Sequence, residues 1–231
     1  MSGQVRWQEL CLDTAGSGPE LGGFWAAVIG GEHKWSNEDP AGNVVVPDLE
    51  GGGIAMCPVP EARSVKHRVH LDVYAAETAD LEALGARALL PAKESGFGWT
   101  VMADPEGGEF CAFLRARDEL PAYRLHGVVV DCADPERIAR WWGERFGVTP
   151  VHQEHDWWTL EGVTHDPVLT FDFVPVPEPK TVKNRIHWDV FGQREDLEAV
   201  GATLLRKRDD EISWDVMADP EGNEFCVCDL R

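Results

Sequence analysis

The feature that most constrains the fold of this chain is an internal repeat that spans half of its length. Residues 66–74 (KHRVHLDVY) recur as residues 183–191 (KNRIHWDVF), and residues 99–111 (WTVMADPEGGEFC) recur as residues 214–226 (WDVMADPEGNEFC). Solenoid repeats have periods of about 20–50 residues, so a repeat of this length indicates a duplicated domain. We therefore predict two domains in the 231-residue chain, residues 1–118 and 122–231, with Pro121 at the link between them.

The composition is that of a globular protein in which each half can bury its own core. Hydrophobic residues make up 43% of the chain and charged residues 27%, which is ordinary for a soluble protein. No apolar run of about 18 residues is present, so we expect no contact with a membrane. The first residues, MSGQVRWQEL, lack the basic and apolar regions of a secretion signal, and we expect a cytoplasmic protein.

The net charge of −20 and the six cysteines restrict the partners further. An acidic chain repels phosphate backbones, so we expect no nucleic-acid partner, whereas a neutral or cationic small ligand is compatible with this charge. The cysteines show no CxxC spacing and most lie in apolar, strand-like surroundings. Buried, reduced thiols are the favoured interpretation, with disulfides or a zinc site as the alternative.

Each half divides again into two units of similar order. In the second half, residues 125–131 alternate as a strand, Asp134 and Pro135 begin a helix, and Gly147 ends it. Strand-like segments follow at 157–160 and 168–176, as they do at 42–47 and 51–59 in the first half. A further strand, a short helix and two closing strands complete each half. The predicted order is β-α-β-β-β, four times.

Two recurring motifs stand out in the second unit of each half. A histidine and an aspartate two residues apart share one strand face, as His70 with Asp72 and His187 with Asp189. Such a carboxylate can orient a catalytic or metal-binding imidazole, or the pair can be purely structural. The Asp-Pro-Glu-Gly segments at 104–107 and 219–222 are interpreted as turns before the last strand, in which glycine supplies a positive φ.

With four βαβββ units, these histidines and these turns, the chain resembles the vicinal oxygen chelate superfamily. That superfamily includes glyoxalase I, bleomycin-resistance proteins and extradiol dioxygenases, and the chain is most similar to its tandem glyoxalase-like domain proteins. The resemblance implies an α+β fold of two tandem domains, each a pair of βαβββ modules forming a curled mixed sheet with an open cup. It covers nearly the whole chain and is more specific for fold than for reaction.

The resemblance also implies positions for a divalent metal ion. In the superfamily such an ion is held by residues of the first and last strands of the units. The first-strand positions correspond to Gln8 and His70 in the first half and to His126 and His187 in the second half. Two imidazoles and one carboxylate would leave open positions on Fe(II) or a similar ion.

The carboxylate is where this chain departs from the superfamily pattern. The usual glutamate position is occupied by Cys111 and Cys226, and Glu109 and Glu224 lie two residues earlier. Residues two apart share a strand face, but they are displaced by about 6.6 Å along the strand. Cys226 could ligate a soft metal, although a buried thiol is the favoured state.

From these positions the sequence predicts a working site in the second domain. Its metal ligands would be His126, His187 and Glu224, with Asp172 as a further candidate and Glu224 also as the catalytic base. The ion would be Fe, Zn, Ni or Mn, or no metal would be bound at all. The first domain would carry a degenerate site, formed by Gln8, His70 and Glu109.

The ten tryptophans suggest an aromatic lining for the cups. Trp141 and Trp142 lie on a helical face and are expected in the core, whereas Trp158, Trp188 and Trp214 lie on strands and are predicted to bind substrate. We therefore predict a small-molecule-binding glyoxalase-like protein, either a metal-dependent lyase, isomerase or dioxygenase, or a metal-free protein that sequesters an aromatic antibiotic or metabolite. Either a monomer, in which the two halves form a pseudo-dimer, or a homodimer would suit this architecture.

Overall fold

The computed structural model of the protein describes residues 3–16 and 19–229, which form four successive βαβββ modules. The first half contains modules 1 and 2. Module 1 consists of β1 (Arg6–Thr14), α1 (Glu20–Ile29), β2 (Glu32–Lys34), β3 (Asn43–Val45) and β4 (Ile54–Pro58). Module 2 consists of β5 (Val69–Ala75), α2 (Thr78–Ala83), β6 (Arg87–Leu90), α3 (Ala92–Ser95), β7 (Thr100–Ala103) and β8 (Glu109–Leu114).

The second half repeats this order and confirms the predicted β-α-β-β-β sequence of elements. Module 3 consists of β9 (Leu125–Cys132), α4 (Pro135–Phe146), β10 (Val151–His152), β11 (Trp158–Leu160) and β12 (Thr170–Pro175). Module 4 consists of β13 (Ile186–Phe191), α5 (Arg194–Glu198), β14 (Thr203–Arg206), β15 (Asp215–Ala218) and β16 (Glu224–Cys228). No helix in the described segments combines the length and the apolar character needed to cross a membrane.

The strands form two sheets of eight strands, and each sheet takes one module from each half. Sheet one has the order β14-β15-β16-β13-β1-β4-β3-β2 and joins module 4 to module 1. Sheet two has the order β10-β11-β12-β9-β5-β8-β7-β6 and joins module 3 to module 2. The fold is the predicted α+β architecture of tandem βαβββ pairs. The exchange of modules between the sheets is an additional feature that the repeat alone did not predict.

One continuous hydrophobic core receives side chains from both sheets and both long helices. Trp142 of α4 contacts Trp188 of sheet one at 5.2 Å between ring centroids and Phe171 of sheet two at 6.2 Å. Trp25 of α1 contacts Phe110 of sheet two at 5.3 Å. Each buried ring removes a large apolar area from water, at about 25 cal/mol per Å². The helix side of each sheet is therefore filled, and the opposite face is left for polar side chains.

Helix α4 shows how local sequence sets the ends of an element. The side chain of Asp134 accepts a hydrogen bond from the Arg137 backbone N–H at 3.1 Å, and Pro135 occupies the first turn. At the other end Gly147 adopts φ 75°, a left-handed conformation in which glycine has no steric penalty. Both predicted ends of this helix are confirmed.

Candidate functional site

The polar side chains of interest lie on the face of each sheet that points away from the core. In β5, Val69, Leu71 and Val73 are fully buried in the core, whereas His70 and Asp72 point to the opposite face. Strand β13 shows the same alternation. We call the face that carries His70 and Asp72 in sheet two, and His187 and Asp189 in sheet one, the cup face.

The structure does not assemble the metal site predicted from the sequence. His126 lies on β9 in sheet two, whereas His187 and Glu224 lie on β13 and β16 in sheet one. The predicted group is split because modules 3 and 4, which are consecutive in the chain, enter different sheets. The prediction of a His126–His187–Glu224 centre within the second domain is therefore wrong as a spatial arrangement.

Glu224, which the sequence predicted as a catalytic base, holds a neighbouring segment in place through two hydrogen bonds. Its two carboxylate oxygens accept hydrogen bonds from the Lys180 ammonium at 2.6 Å and the Asn184 backbone N–H at 3.1 Å. Glu109 repeats this arrangement with the Arg63 guanidinium and the His67 backbone N–H. Both glutamates thus anchor the segment that precedes the first strand of their own module, and both oxygens of each carboxylate accept one of these hydrogen bonds.

Gln8 and His126, at the first-strand positions, are the extra residues of two β-bulges. Between β1 and β13 the pairing passes from Trp7 directly to Glu9, so that Gln8 has no partner across the ladder. Between β5 and β9 the same shift leaves His126 without a partner. A bulge redirects the side chain of its extra residue. His126 accordingly stacks on Tyr74, with ring centroids 4.1 Å apart, beyond the polar centre of the cup face.

A different polar group forms on the cup face of sheet two. One ring nitrogen of His70, one carboxylate oxygen of Asp72 and the sulfur of Cys111 lie within 4.8 Å of one another. His70 comes from β5, as predicted for a first-strand ligand. Cys111 lies on the adjacent strand β8, opposite Asp72 of β5 in the strand pairing. The sequence signal for this group was the His-x-Asp pattern together with the cysteine at the usual glutamate position.

Sheet one contains the corresponding group with one donor changed. His187, Asp189 and Cys11 offer ligand atoms within 4.8 Å of one another, and the Cys11 thiol donates to Asp189 at 3.2 Å. Cys226, the equivalent of Cys111, also hydrogen-bonds Asp189. The equivalent of Cys11 in sheet two is Val129, so the two cup faces differ in their donor chemistry.

A gap between two buried carboxylates lies above Gly127 on the cup face of sheet two. A Cβ atom at Gly127 would lie 3.5 Å from a carboxylate oxygen of Asp72 and 3.5 Å from one of Asp172. The hydroxyls of Thr159 and Thr170 donate to the two oxygens of Asp172, each at 2.5 Å. One oxygen of Asp72 is buried without a hydrogen-bond partner. The oxygen without a partner is Oδ1, which lies 3.6 Å from the His70 Nε2 atom, whereas the oxygen that faces Gly127 is Oδ2.

Burial controls the protonation of these groups. It lowers the pKa of His70 to about 4 and that of His187 to about 3, so both imidazoles are neutral at neutral pH. It raises the pKa of Asp72 well above its usual range, and the neighbouring Asp172 adds to the effect. Burial also raises the pKa of Asp189 to about 6. The cup faces thus hold neutral imidazoles beside carboxyl groups that readily keep a proton.

An aromatic wall adjoins the polar group of sheet two. Tyr74 and Phe113 form the next row of the cup face, and Phe113 meets His126 edge to face at 4.7 Å. Trp99 stacks on Phe113 at 5.1 Å and meets Trp157 at 5.8 Å. These rings are partly exposed or only half-buried, and they offer a flat apolar surface to a ligand.

This wall is built from tryptophans other than those predicted to bind substrate. Trp188 is fully buried between Trp142 and Phe171, so no ligand can reach it. Trp158 lies on the core side of β11, where the Arg140 guanidinium covers its ring at 5.1 Å. The prediction for Trp188 is wrong, because strand alternation turns its ring into the core, whereas Trp158 is only partly buried and its assignment stays a prediction. Trp214, half-buried just before β15, keeps its assignment as a prediction.

The residues of sheet two fit the divalent metal ion that the resemblance implies. A nitrogen, an oxygen and a sulfur donor already converge, and the set suits zinc, which accepts all three. The unpartnered oxygen of Asp72 is a buried polar atom that a bound ion would satisfy. Burial raises the pKa of the Cys111 thiol, so an ion that binds there must displace its proton.

Comparison with known proteins agrees with this architecture. Residues 9–113 and 127–228 each match the family described as glyoxalase-like domain. Glyoxalase I from Zea mays superposes with a TM-score of 0.67 at 13% identity, covering 97% of this chain and 92% of the maize chain. A candidate dioxygenase from Bacillus subtilis superposes with a TM-score of 0.60 at 15% identity, covering 98% and 86%. No curated protein sequence matches this chain.

At such identities the superpositions show the fold alone, not the reaction. The two sheets of paired βαβββ modules give the protein the fold class of these glyoxalase and dioxygenase structures. Within that class the chain belongs to the glyoxalase-like domain family, of which it carries two copies.

Proposed function

We propose that the protein binds a small organic ligand on the cup face of sheet two, with a divalent metal ion held by His70, Asp72 and Cys111. The gap above Gly127, between Asp72 and the second carboxylate, carries this proposal. Sheet one offers no such gap, because Glu9 and Ala55 replace Gly127 and Asp172 there. The working site is then built by both halves of the chain, and not by the second domain alone.

The arrangement supports proton-transfer chemistry of the lyase or isomerase kind. A bound ion would polarise a substrate oxygen and stabilise negative charge developing there. Asp172 is placed to take and return a proton, since it faces the gap and two threonine hydroxyls hold its carboxylate in one orientation. The aromatic wall would bind the apolar part of the substrate and exclude water. A dioxygenase centre of two histidines and a carboxylate is less well supported, because the group contains one histidine.

The metal is tested by titrating zinc, Mn(II), Ni(II) and Fe(II) into protein purified without chelator and measuring heat and bound metal. We expect His70→Asn to weaken binding of the preferred ion by at least about tenfold, as the loss of a ligand should. His165→Asn is the matched control, because His165 is half-exposed, lies beside Glu50 and is not a member of the group. Less than a tenth of an equivalent of bound metal, with no heat on adding any of the four ions, would refute the metal site.

A second candidate function, metal-free binding of an aromatic molecule, is favoured by the aromatic wall. Its test is quenching of tryptophan fluorescence in chelator-treated protein by a panel of planar aromatic compounds. Trp99→Ala should weaken binding by about fivefold, since stacking on one aromatic ring contributes on the order of 1 kcal/mol. Trp35→Ala, at an exposed tryptophan outside the wall, should leave it unchanged. Equal binding by both variants would contradict this function.

A further inference from the structure

The two segments that cross between the sheets enclose a cavity whose lining does not include the cup-face residues His70, Asp72, His187 and Asp189. The first linker, residues 59–68, connects β4 of sheet one to β5 of sheet two, and the second, residues 176–185, connects β12 of sheet two to β13 of sheet one. The cavity between them measures about 600 Å³ and is lined mainly by residues 61–68 and 178–185. This volume is within the range of small-molecule pockets.

Two equivalent arginines form hydrogen bonds between the linkers. Arg68 donates to the backbone oxygen of Glu178 at 2.7 Å, and Arg185 donates to the backbone oxygen of Glu61. Each arginine also donates to a backbone oxygen at the end of a central strand, Arg68 to Asp131 at 2.8 Å and Arg185 to Asp13 at 3.1 Å. The cavity therefore lies on the axis that relates the two halves.

The charge of Arg68 is not balanced by a carboxylate. No ion pair of Arg68 occurs within residues 3–16 and 19–229, and its Nε atom is buried without a hydrogen-bond partner. The equivalent Arg185 has Glu106 at 3.6 Å. An arginine whose remaining partners are neutral carbonyl oxygens can still accept an anion in its planar array of donors.

The acidic residues around the cavity do not neutralise Arg68. Lys66 pairs with Asp131 at 2.8 Å, and Lys183 pairs with Asp13, so these acids are neutralised. The side chains of the remaining acids, at positions 61 and 178, are exposed to solvent, which screens them. Five cationic and four acidic residues line the cavity, so its lining carries a net charge of +1 in a chain with a net charge of −20.

The same cavity offers an apolar surface. Val65 and Val182, at equivalent positions of the two linkers, line it and are each 41% exposed. Pro179 lines it as well. A concave site with apolar walls and a charged residue can bind the apolar body and the charged group of one small molecule.

We infer that this linker cavity binds an amphipathic organic anion, with its carboxylate or phosphate group on Arg68 and its aliphatic body against Val65 and Val182. The site is distinct from the cup face of sheet two, and the inference does not depend on the proposed function. A ligand held between the two linkers would also connect both halves of the chain.

Calorimetric titration of the full-length protein with octanoate, octyl phosphate and neutral octanamide tests this inference. We expect at least one anion to bind at least tenfold more tightly than octanamide and to weaken as salt is added; the comparison of the two anions shows which head group is preferred. Val65→Asp should weaken anion binding at least tenfold, because it adds a negative charge to the cavity wall without removing a buried contact. Val168→Asp, at an exposed valine outside the cavity, is the matched control.

Arg68→Gln provides a second variant, checked for folding by its thermal unfolding curve, and should lose the preference for anions over octanamide. Phe113→Ala, in the aromatic wall, should leave octanoate binding unchanged, which separates this site from the proposed one. No saturable binding of either anion, equal affinity for octanamide, or full anion affinity in Val65→Asp would overturn the inference.

Discussion

At the scale of single residues, a few substitutions make the two cup faces chemically different. Modules 2 and 4 supply the same histidine, aspartate and cysteine to both sheets. The differences directly beside these three residues come from modules 1 and 3. They are Glu9, Cys11 and Ala55 in sheet one against Gly127, Val129 and Asp172 in sheet two. Sheet one thereby gains a thiol, and sheet two gains a second carboxylate and the space in front of it.

Gly127→Ala should close this space. Its backbone does not have a positive φ, so alanine is tolerated there, but the new Cβ would lie 3.1 Å from the Asp72 Cβ and enter the gap. We expect ligand or metal binding at sheet two to weaken by about tenfold, with a change of no more than about 1 kcal/mol in the free energy of unfolding. Gly23→Ala, where a Cβ meets nothing within 4 Å, is the control. Unchanged binding would contradict the role of the gap.

His67 should make the stability of the protein depend on pH. Burial lowers its pKa to about 4, with Glu109 opposing and Arg63 adding to the shift, so the folded state binds its proton less readily than the unfolded state. The contribution of His67 to the free energy of unfolding is then fully present above about pH 6.5 and is lost as the pH falls towards 4. On acidification from about pH 8 to about pH 5, protonation of His67 in the unfolded state should lower the free energy of unfolding by about 2 kcal/mol.

The measurement is urea unfolding of the native protein and of His67→Asn at both pH values. The variant should lose about 2 kcal/mol less than the native protein on acidification, because it has no imidazole to protonate in the unfolded state. His165→Asn, at a half-exposed histidine, should keep the native profile. Parallel profiles for all three proteins would show that His67 does not contribute.

At the scale of elements, the Asp-Pro-Glu-Gly turns connect modules as well as reversing the chain. The turn geometry is as predicted, with φ 85° at Gly107 and φ 84° at Gly222. The glutamate of the second turn, Glu221, also accepts hydrogen bonds from the backbone N–H groups of Ala133 and Asp134, each at 2.8 Å. This contact ties module 4 to the start of α4 in module 3. Local sequence could predict the turn but not its distant partner.

Removing this contact should destabilise the protein. Glu221→Ala leaves two backbone donors before α4 without their acceptor, and we expect the free energy of unfolding to fall by about 1–2 kcal/mol. Glu136→Ala is the control, since this glutamate is 52% exposed and only pairs with Arg140 one helical turn away. Guanidinium unfolding curves of the two variants compare them directly. An equal, small loss in the free energy of unfolding in both variants would show that the contact between Glu221 and the start of α4 does not stabilise the protein.

At the scale of the whole molecule, each half of the chain completes the sheets of the other. Strand β1 pairs with β13 from the other half, and β5 pairs with β9. A half on its own would expose the hydrogen-bonding edges of two long central strands, which favour association with another chain. The domain limits 1–118 and 122–231 remain a prediction, and they define the fragments that test this dependence.

Expressed separately, the two fragments should not form stable monomers. We expect each to dimerise or aggregate, and an equimolar mixture to give a complex of the size of the intact chain, because the strand edges are then paired. Size-exclusion chromatography with light scattering measures this, with the full-length protein as the reference. Two folded, monomeric fragments that do not associate would contradict the prediction.

The features that the sequence by itself determined are those with local causes. The repeat predicted duplicated βαβββ units, strand alternation predicted that His70 and Asp72 share a face, and capping residues predicted both ends of α4. Each depends on residues a few positions apart, whose geometry the backbone dictates.

Only the tertiary structure decided which sheet each module enters, because strand pairing between distant segments depends on edges and cores that no local pattern records. That choice separated His126 from His187, which lie on different sheets. It also brought Asp172 of one half opposite Asp72 of the other across Gly127. The candidate site exists because the two halves exchange modules.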